Sequence, residues 1–163
     1  MYKFLDLFCG CGGLSLGFKM AGMLPVAGID FNKAAVETYQ LNFPDTKAIC
    51  ADILSMDKKA ILEDLGNLDD IDIIIGGPPC QGFSNANKNY VELNDPRNKL
   101  FFEFVKFVEL GMPRIVLIEN VPQIITNDKS SLPISWVSFY PSDRAAVSHG
   151  YKAILFLKSF SSS

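Results

Sequence analysis

The chain has 163 residues, a formal net charge of −3 and a sequence pI of about 5.1, and 48% of its residues are hydrophobic. This length suits a single domain with enough chain to bury a core. The acidic balance argues against autonomous, tight DNA binding, because proteins that grip nucleic acid usually present a basic face. No apolar run approaches the roughly 20 residues of a membrane-spanning helix, and the start, MYKFLDLFCG, lacks the pattern of a signal peptide. We therefore expect a cytoplasmic protein with no membrane contact.

The first part of the chain alternates segments that are typical of strands and helices. Asn32 can cap the second of the helices, and Pro44 stops it. In chain order the sequence predicts strand Lys3–Phe8, helix Gly13–Gly22, strand Leu24–Ile29, helix Lys33–Phe43, strand Lys47–Cys50 and a surface helix over Ile53–Leu65.

The next part continues the alternation. Ile71–Ile75 and Ile115–Ile118 are short, nearly all-apolar runs of the kind that suits parallel strands covered on both faces. Asn98–Leu110 between them is predicted to be a helix, and Tyr151–Leu157 a last strand. The pattern predicts an α/β fold with a doubly wound, mostly parallel sheet, right-handed crossovers and helices on both faces. In such sheets the ligand lies outside the carboxyl ends of the strands.

Three features of the first half suggest a nucleoside site. The turn DLFCGCGGLSLGF, Asp6–Phe18, places glycines where backbone amides can approach a ligand. Ser15 stands where the third glycine of a GxGxxG pattern would fall, so a plain tight turn is the alternative. Asp30, 20 residues after Gly10, can accept hydrogen bonds from both hydroxyls of a ribose, or can act only at a helix start. Asp52 can accept a hydrogen bond from an adenine amino group, or can merely solvate a turn.

The stretch IIIGGPPCQGFS, Ile73–Ser84, presents a cysteine on a stiff support. Pro78 and Pro79 fix φ and remove two amide donors just before Cys80, at the ligand-binding edge of the predicted sheet. A nucleophilic thiol is the favoured interpretation, and a buried cysteine in a tight turn is the alternative.

Glu119 follows a predicted buried strand in IENVP. A carboxyl group in that place is poorly solvated and tends to hold a proton, so it can donate one hydrogen bond and accept another. An ordinary acid paired with a lysine at a strand end is an equally good interpretation of the residue by itself.

The other cysteines, Cys9, Cys11 and Cys50, are interpreted as small buried hydrophobic residues, most strongly so for Cys50. A zinc site is not expected, because there is one histidine, His149, and no CxxC pair.

In this order, the motifs resemble those of the DNA cytosine-5 methyltransferases, from about residue 3 to residue 122. DLFCGCGG is similar to the family's adenosylmethionine turn, GIDFNKAAVETYQLNFP to its acid–helix block, GGPPCQGFS to its proline–cysteine motif and IENV to its glutamate motif. DPRNKLFFEF, Asp95–Phe104, also resembles the segment between the last two.

The resemblance implies an S-adenosylmethionine-dependent, Rossmann-like enzyme of restriction–modification that methylates carbon 5 of cytosine in double-stranded DNA. It makes Cys80 the nucleophile that adds to carbon 6 and Glu119 the group that holds ring nitrogen 3 and the exocyclic amine. The target cytosine must leave the duplex stack, and Asn85–Asn98 would close over it. The positions that match the cofactor pocket are Phe8, Gly10, Gly13, Asp30, Phe31, Asp52, Ile53, Pro79 and Leu100.

The resemblance ends near residue 122, so we expect a core over residues 1–122 and a divergent extension of the same domain over residues 123–163. The family's arginine-rich motif, its target-recognition domain and its closing segment have no counterpart in the sequence. We therefore expect an amino-terminal catalytic part, truncated relative to the family, that works with a second chain carrying the target-recognition domain. The alternatives are an inactive relic and an adenosylmethionine-binding subunit that needs a partner. An RNA substrate is also compatible with the PPCQ motif.

Overall fold

The computed structural model describes residues 1–57, 64–66, 71–79 and 99–120, and the backbone of residues 152–157. The described elements, in chain order, are β1 (Lys3–Leu7), α1 (Gly13–Met20), β2 (Leu24–Asp30), α2 (Lys33–Asn42), β3 (Lys47–Cys50), β4 (Ile73–Gly76), α3 (Lys99–Gly111), β5 (Ile115–Asn120) and β6 (Lys152–Leu157).

The sequence predicted all nine of these elements. β3 has its predicted bounds, and the other eight differ from theirs by one or two residues at one or both ends. Asn32 caps α2 as predicted, since its side chain accepts a hydrogen bond from the amide of Ala35 at 3.2 Å. The predicted start of a helix at Ile53 is wrong. Residues 53–55 form a turn in which the Asp52 side chain accepts a hydrogen bond from the Leu54 amide at 3.0 Å.

The sheet has the order β3-β2-β1-β4-β5-β6. Strands β1 to β5 all run parallel to one another, and β6 runs antiparallel to β5. The chain moves outward from β1 to β3 and then returns to place β4 on the other side of β1. The carboxyl ends of β1 and β4 therefore form the switch point at which doubly wound sheets bind ligands.

Side chains of β1 alternate between the two faces of the sheet. Phe4 packs with Ile73 and Ile75 against the α1 side, where Phe18 stacks at a ring-centroid distance of 5.4 Å. On the opposite face α3 contributes three phenylalanines at a spacing of three residues, which pack against Leu5, Leu7 and other strand residues; these are Phe101, Phe104 and Phe107. Each such buried ring stabilises the fold by about 1.5–3 kcal/mol. Helices thus cover both faces of the sheet, as predicted.

The longest of the described helices, α3, has 13 residues. Within the described ranges, no helix combines the length and the apolar character that crossing a bilayer requires.

Replacing Gly28 with alanine should lower the free energy of unfolding by about 2–3 kcal/mol, the usual cost of overpacking a core. Gly28 lies in β2 with β1 and β3 on either side, and an added Cβ would lie 2.4 Å from the ring of Tyr39. Gly17 in α1 is the matched control, because nothing lies within 4 Å of its added Cβ. Gly17→Ala should stabilise the protein by up to about 1 kcal/mol. Urea unfolding measures both variants, and equal effects would contradict the packing described here.

Candidate active site

An open cleft of about 320 Å³, including space open to solvent, lies at the carboxyl ends of β1 to β4. Two of its lining residues, Ile29 and Ala51, were not among the predicted cofactor residues, and the predicted Gly10 and Gly13 do not line it. The predicted cofactor residues that the fold brings together in the cleft are Phe8, Asp30, Phe31, Asp52, Ile53, Pro79 and Leu100.

The glycine turn after β1 reaches the cleft through its first residue, Phe8. Gly10 and Gly12 have φ values of 52° and 92°, and Phe8 also has a positive φ of 63°. A side chain at Gly12 would be strained, and its Cβ would lie 2.3 Å from the ring of Phe43. Left-handed geometry is uncommon for a residue such as Phe8 and persists only where surrounding contacts fix it. The turn is therefore a constrained feature with a defined shape.

Asp30 ties this turn to the end of β2. Its Oδ2 accepts a hydrogen bond from the Gly10 amide at 2.9 Å, and its Oδ1 accepts one from the Asn32 amide at 2.9 Å. Asp30 thus acts at the start of α2, but it also holds the glycine turn and lines the cleft. Because each carboxylate oxygen can accept a second hydrogen bond, both remain available to a ligand with paired hydroxyls.

Phe31 and Asp52 also line the cleft. The Phe31 side chain is 72% exposed although it is a large aromatic ring. Asp52 is exposed and caps the turn after β3 through its bond to the Leu54 amide. The ring offers a flat apolar surface and the carboxylate offers hydrogen-bond acceptors, which are the two properties that an adenine requires.

Glu119 lies in β5, beside the end of β4. A Cβ on Gly77, just past β4, would lie 2.8 Å from Glu119 Oε2, so the chain that leaves β4 passes close to this carboxyl group. Burial raises the pKa of Glu119 above its ordinary value, as expected from the sequence. Among the residues whose positions are described, no lysine or arginine forms an ion pair with it.

Pro79, which lines the cleft, is two positions after Gly77, the residue beside the Glu119 carboxyl group. Two residues of chain span at most about 7 Å, so the cleft and the glutamate are neighbours. Cys80 and the segment Asn85–Asn98 lie outside the described residues, and the roles predicted for them stay predictions.

The predictions for the other cysteines are partly wrong. Cys9 is buried as expected, and burial raises the pKa of its thiol. Cys11 and Cys50 are exposed. Cys50 ends β3, which is an edge strand of the sheet, and its thiol donates to the Phe31 carbonyl at 3.7 Å. Across the residues that the structure places, no group of three or more histidine, cysteine or acidic side chains could hold a metal ion.

A buried polar chain beneath the glycine turn was not predicted. Asp6 in β1 is 1% exposed and accepts a hydrogen bond from Ser15 Oγ at 2.6 Å, and Ser15 Oγ lies 3.0 Å from the Tyr39 hydroxyl. The available signal was the acid within the apolar strand KFLDL. Burial raises the pKa of Asp6 from its ordinary value of 3.8 to about 7, although the hydrogen bonds from Ser15 oppose this.

The stability of the protein should depend on pH through Asp6. Between pH 3.8 and about 7 the folded state holds a proton that the unfolded chain has released, so this contribution to stability falls as the pH rises through that window. From pH 5 to pH 7 the free energy of unfolding of the wild type should fall by about 2–3 kcal/mol relative to that of Asp6→Asn. Urea unfolding of both proteins measures this, and a difference that does not change with pH would contradict it.

Comparisons with known proteins identify relatives of this chain. The family model for C-5 cytosine-specific DNA methylases matches residues 2–137. The type II methyltransferase M1.HphI of Haemophilus parahaemolyticus is 40% identical over 126 residues, which are 77% of this chain and 34% of that protein. The type II methyltransferase M.DdeI of Desulfomicrobium norvegicum is 43% identical over 122 residues, which are 75% of this chain and 28% of that protein.

A solved structure shares the fold. It is a prophage-encoded protein of E. coli described as a candidate DNA modification methyltransferase, and it matches with a TM-score of 0.76 and 30% identity. The match covers 97% of this chain and 47% of that one. The chain spans about a third of the length of the two curated relatives named above. The match to the family model over most of the chain shows that it belongs to the C-5 cytosine-specific DNA methylase family.

Proposed function

We propose that this chain supplies the cofactor site and the catalytic residues of a DNA cytosine-5 methyltransferase. The observation that carries the proposal is the proximity of two sites: a cleft suited to a nucleoside, and a half-buried glutamate beside the strand end that leads to Cys80. The names of the type II relatives favour a role in restriction–modification.

The cleft residues fit S-adenosylmethionine. Asp30 would accept hydrogen bonds from the ribose hydroxyls, the Phe31 ring would stack on the adenine, and Asp52 would accept a hydrogen bond from its amino group. Acidic residues at the cleft also suit a ligand that carries a positive charge. When bound, the cofactor supplies an electrophilic methyl group on a sulfonium.

Glu119 would prepare the cytosine for attack. Its raised pKa favours the protonated form, which can donate a hydrogen bond to ring nitrogen 3 and accept one from the exocyclic amine. These contacts draw electron density from carbon 6 and stabilise the charge that develops as a thiolate adds there.

Cys80 would then form a covalent bond from its Sγ to carbon 6, which makes carbon 5 nucleophilic. After methylation, a base removes the proton from carbon 5, and the bond between Sγ and carbon 6 breaks to restore the aromatic ring and the thiolate. The cytosine must be extruded from the duplex for this contact, as in other enzymes that act on bases.

Binding of DNA requires a basic surface, whereas this chain is acidic overall. We therefore propose a second chain that carries the target-recognition domain. The net charge of −3 supports this, since phosphate contacts by lysine and arginine provide most of the affinity for DNA. The competing proposal is a subunit that binds the cofactor without methylating DNA.

Product analysis tests the proposal. The chain is incubated with double-stranded DNA and tritiated S-adenosylmethionine, with and without a candidate second chain that carries a target-recognition domain, and the DNA is digested to nucleosides. We expect the label in 5-methyldeoxycytidine. Label on an exocyclic amine, or none under either condition, would contradict the proposal, and cofactor binding without any product would favour the competing one.

A further inference from the structure

A bond between Asp6 and Ser15 closes the base of the glycine turn. Asp6 precedes the turn in β1 and Ser15 follows it in the first helical turn of α1. Their side chains meet at 2.6 Å, and both residues are at most 1% exposed. Because neither residue lines the cleft, any effect that they have on a ligand must pass through the turn that they bracket.

Tyr39 extends this bond to α2. Its hydroxyl lies 3.0 Å from Ser15 Oγ. Since the one hydroxyl hydrogen of Ser15 is donated to Asp6, Tyr39 donates to Ser15 when the Asp6 carboxyl is ionised. The Tyr39 ring also lies against the turn itself, 3.0 Å from the place that a Gly12 Cβ would take. One buried side chain thus contacts both the turn and the hydrogen-bonded pair beneath it.

The turn has a geometry that needs such support. Phe8 has a positive φ of 63°, and this conformation in a residue other than glycine persists only where surrounding contacts fix it. On the other side of the turn, the Gly10 amide donates to Asp30, the residue that faces the cleft. A shift of the turn would therefore move the Asp30 carboxylate.

We propose that Asp6, Ser15 and Tyr39 are positioning residues whose hydrogen-bonded chain fixes the turn over residues 8–12 and, through Gly10, orients Asp30 for the ribose. This inference rests on the proposed function for the ligand, but the effect on the turn does not depend on it. A positioning role differs from a purely structural one in its expected result: removing one hydroxyl should weaken ligand binding in a protein that remains folded.

Binding and hydrogen exchange test the proposal together. Calorimetry at 10 °C gives the Kd of S-adenosylhomocysteine for the wild type, Ser15→Ala, Tyr39→Phe and the double variant, with circular dichroism to confirm folding. Hydrogen exchange by NMR follows the Gly10 and Gly12 amides without ligand. Thr38→Val is the matched control, because the Thr38 hydroxyl donates only within α2, to the Ala34 carbonyl.

We expect Ser15→Ala to raise Kd about tenfold and Tyr39→Phe about threefold, the range for loss of one hydrogen bond. The double variant should match Ser15→Ala, since Tyr39 acts through Ser15, and Thr38→Val should stay within about twofold of the wild type. The Gly10 amide should exchange faster by similar factors.

Unchanged Kd values in folded Ser15→Ala and Tyr39→Phe would overturn the proposal. If the wild type itself does not bind S-adenosylhomocysteine, the proposed function fails, and hydrogen exchange alone decides the inference. Faster exchange at Gly10 in the variants then supports it, and unchanged exchange overturns it. Should Ser15→Ala not fold, Tyr39→Phe, which keeps the ring packing, gives the decisive values.

Discussion

Replacing Cys80 with serine should abolish covalent capture of DNA that contains 5-fluorocytosine. Fluorine takes the place of the hydrogen that must leave carbon 5, so the elimination stops and the bond between Sγ and carbon 6 persists. A serine hydroxyl is a far weaker nucleophile than a thiolate at neutral pH. We expect adduct formation, with S-adenosylmethionine and any required second chain present, to fall at least about a thousandfold. Denaturing gel electrophoresis of labelled DNA measures the adduct.

Cys11→Ser is the matched control for this prediction. Cys11 lies in the glycine turn and its thiol is exposed, so its replacement shows whether loss of an accessible thiol other than Cys80 removes the adduct. Its variant should form the adduct at the wild-type rate. An adduct that persists in Cys80→Ser, or that disappears in Cys11→Ser, would contradict the assignment of the nucleophile.

Asp30→Ala should weaken binding of S-adenosylhomocysteine about a thousandfold, or about 4 kcal/mol, since hydrogen bonds to a charged group contribute about 1.5–3 kcal/mol each. The change removes the two oxygens that are proposed to bind the ribose. It also removes the acceptor of the hydrogen bond that the Gly10 amide donates. Competition calorimetry, which resolves both tight and weak binding, measures the two dissociation constants.

Asp45→Ala is the control for the loss of negative charge. Asp45 is exposed in the connection between α2 and β3, before the amino end of β3, whereas the cleft lies at the carboxyl ends of the strands. Its variant should bind within about twofold of the wild type, because an exposed charge at that distance is screened by salt. Equal losses in the two variants would show that long-range charge, rather than contact with Asp30, determines the affinity.

The arrangement of strands and helices was predictable because local signals agree with the fold. Short apolar runs such as Ile73–Gly76 are buried between helices, and Asn32 caps α2 with its own side chain. The grouping of cleft residues was also predictable, because parallel strands bring their carboxyl ends to one edge.

Features that depend on contacts between distant residues escaped prediction. The exposure of Cys50 follows from the position of β3 at the edge of the sheet, which strand periodicity does not reveal. The hydroxyl pair of Ser15 and Tyr39 is 24 residues apart in sequence, and neither residue has an unusual local pattern. The second function of Asp30, as an acceptor for Gly10, needs the folded turn to be seen.

NMR titration with S-adenosylhomocysteine tests whether the cleft at the carboxyl ends of the strands binds the cofactor. We expect saturable chemical-shift changes at the amides of Phe31, Asp52 and Leu100, which line the cleft. The amides of Lys3 and Arg114, at the opposite ends of the strands, should not move. Absence of chemical-shift changes at millimolar ligand, or changes confined to the amino ends of the strands, would show that the cleft does not bind the cofactor.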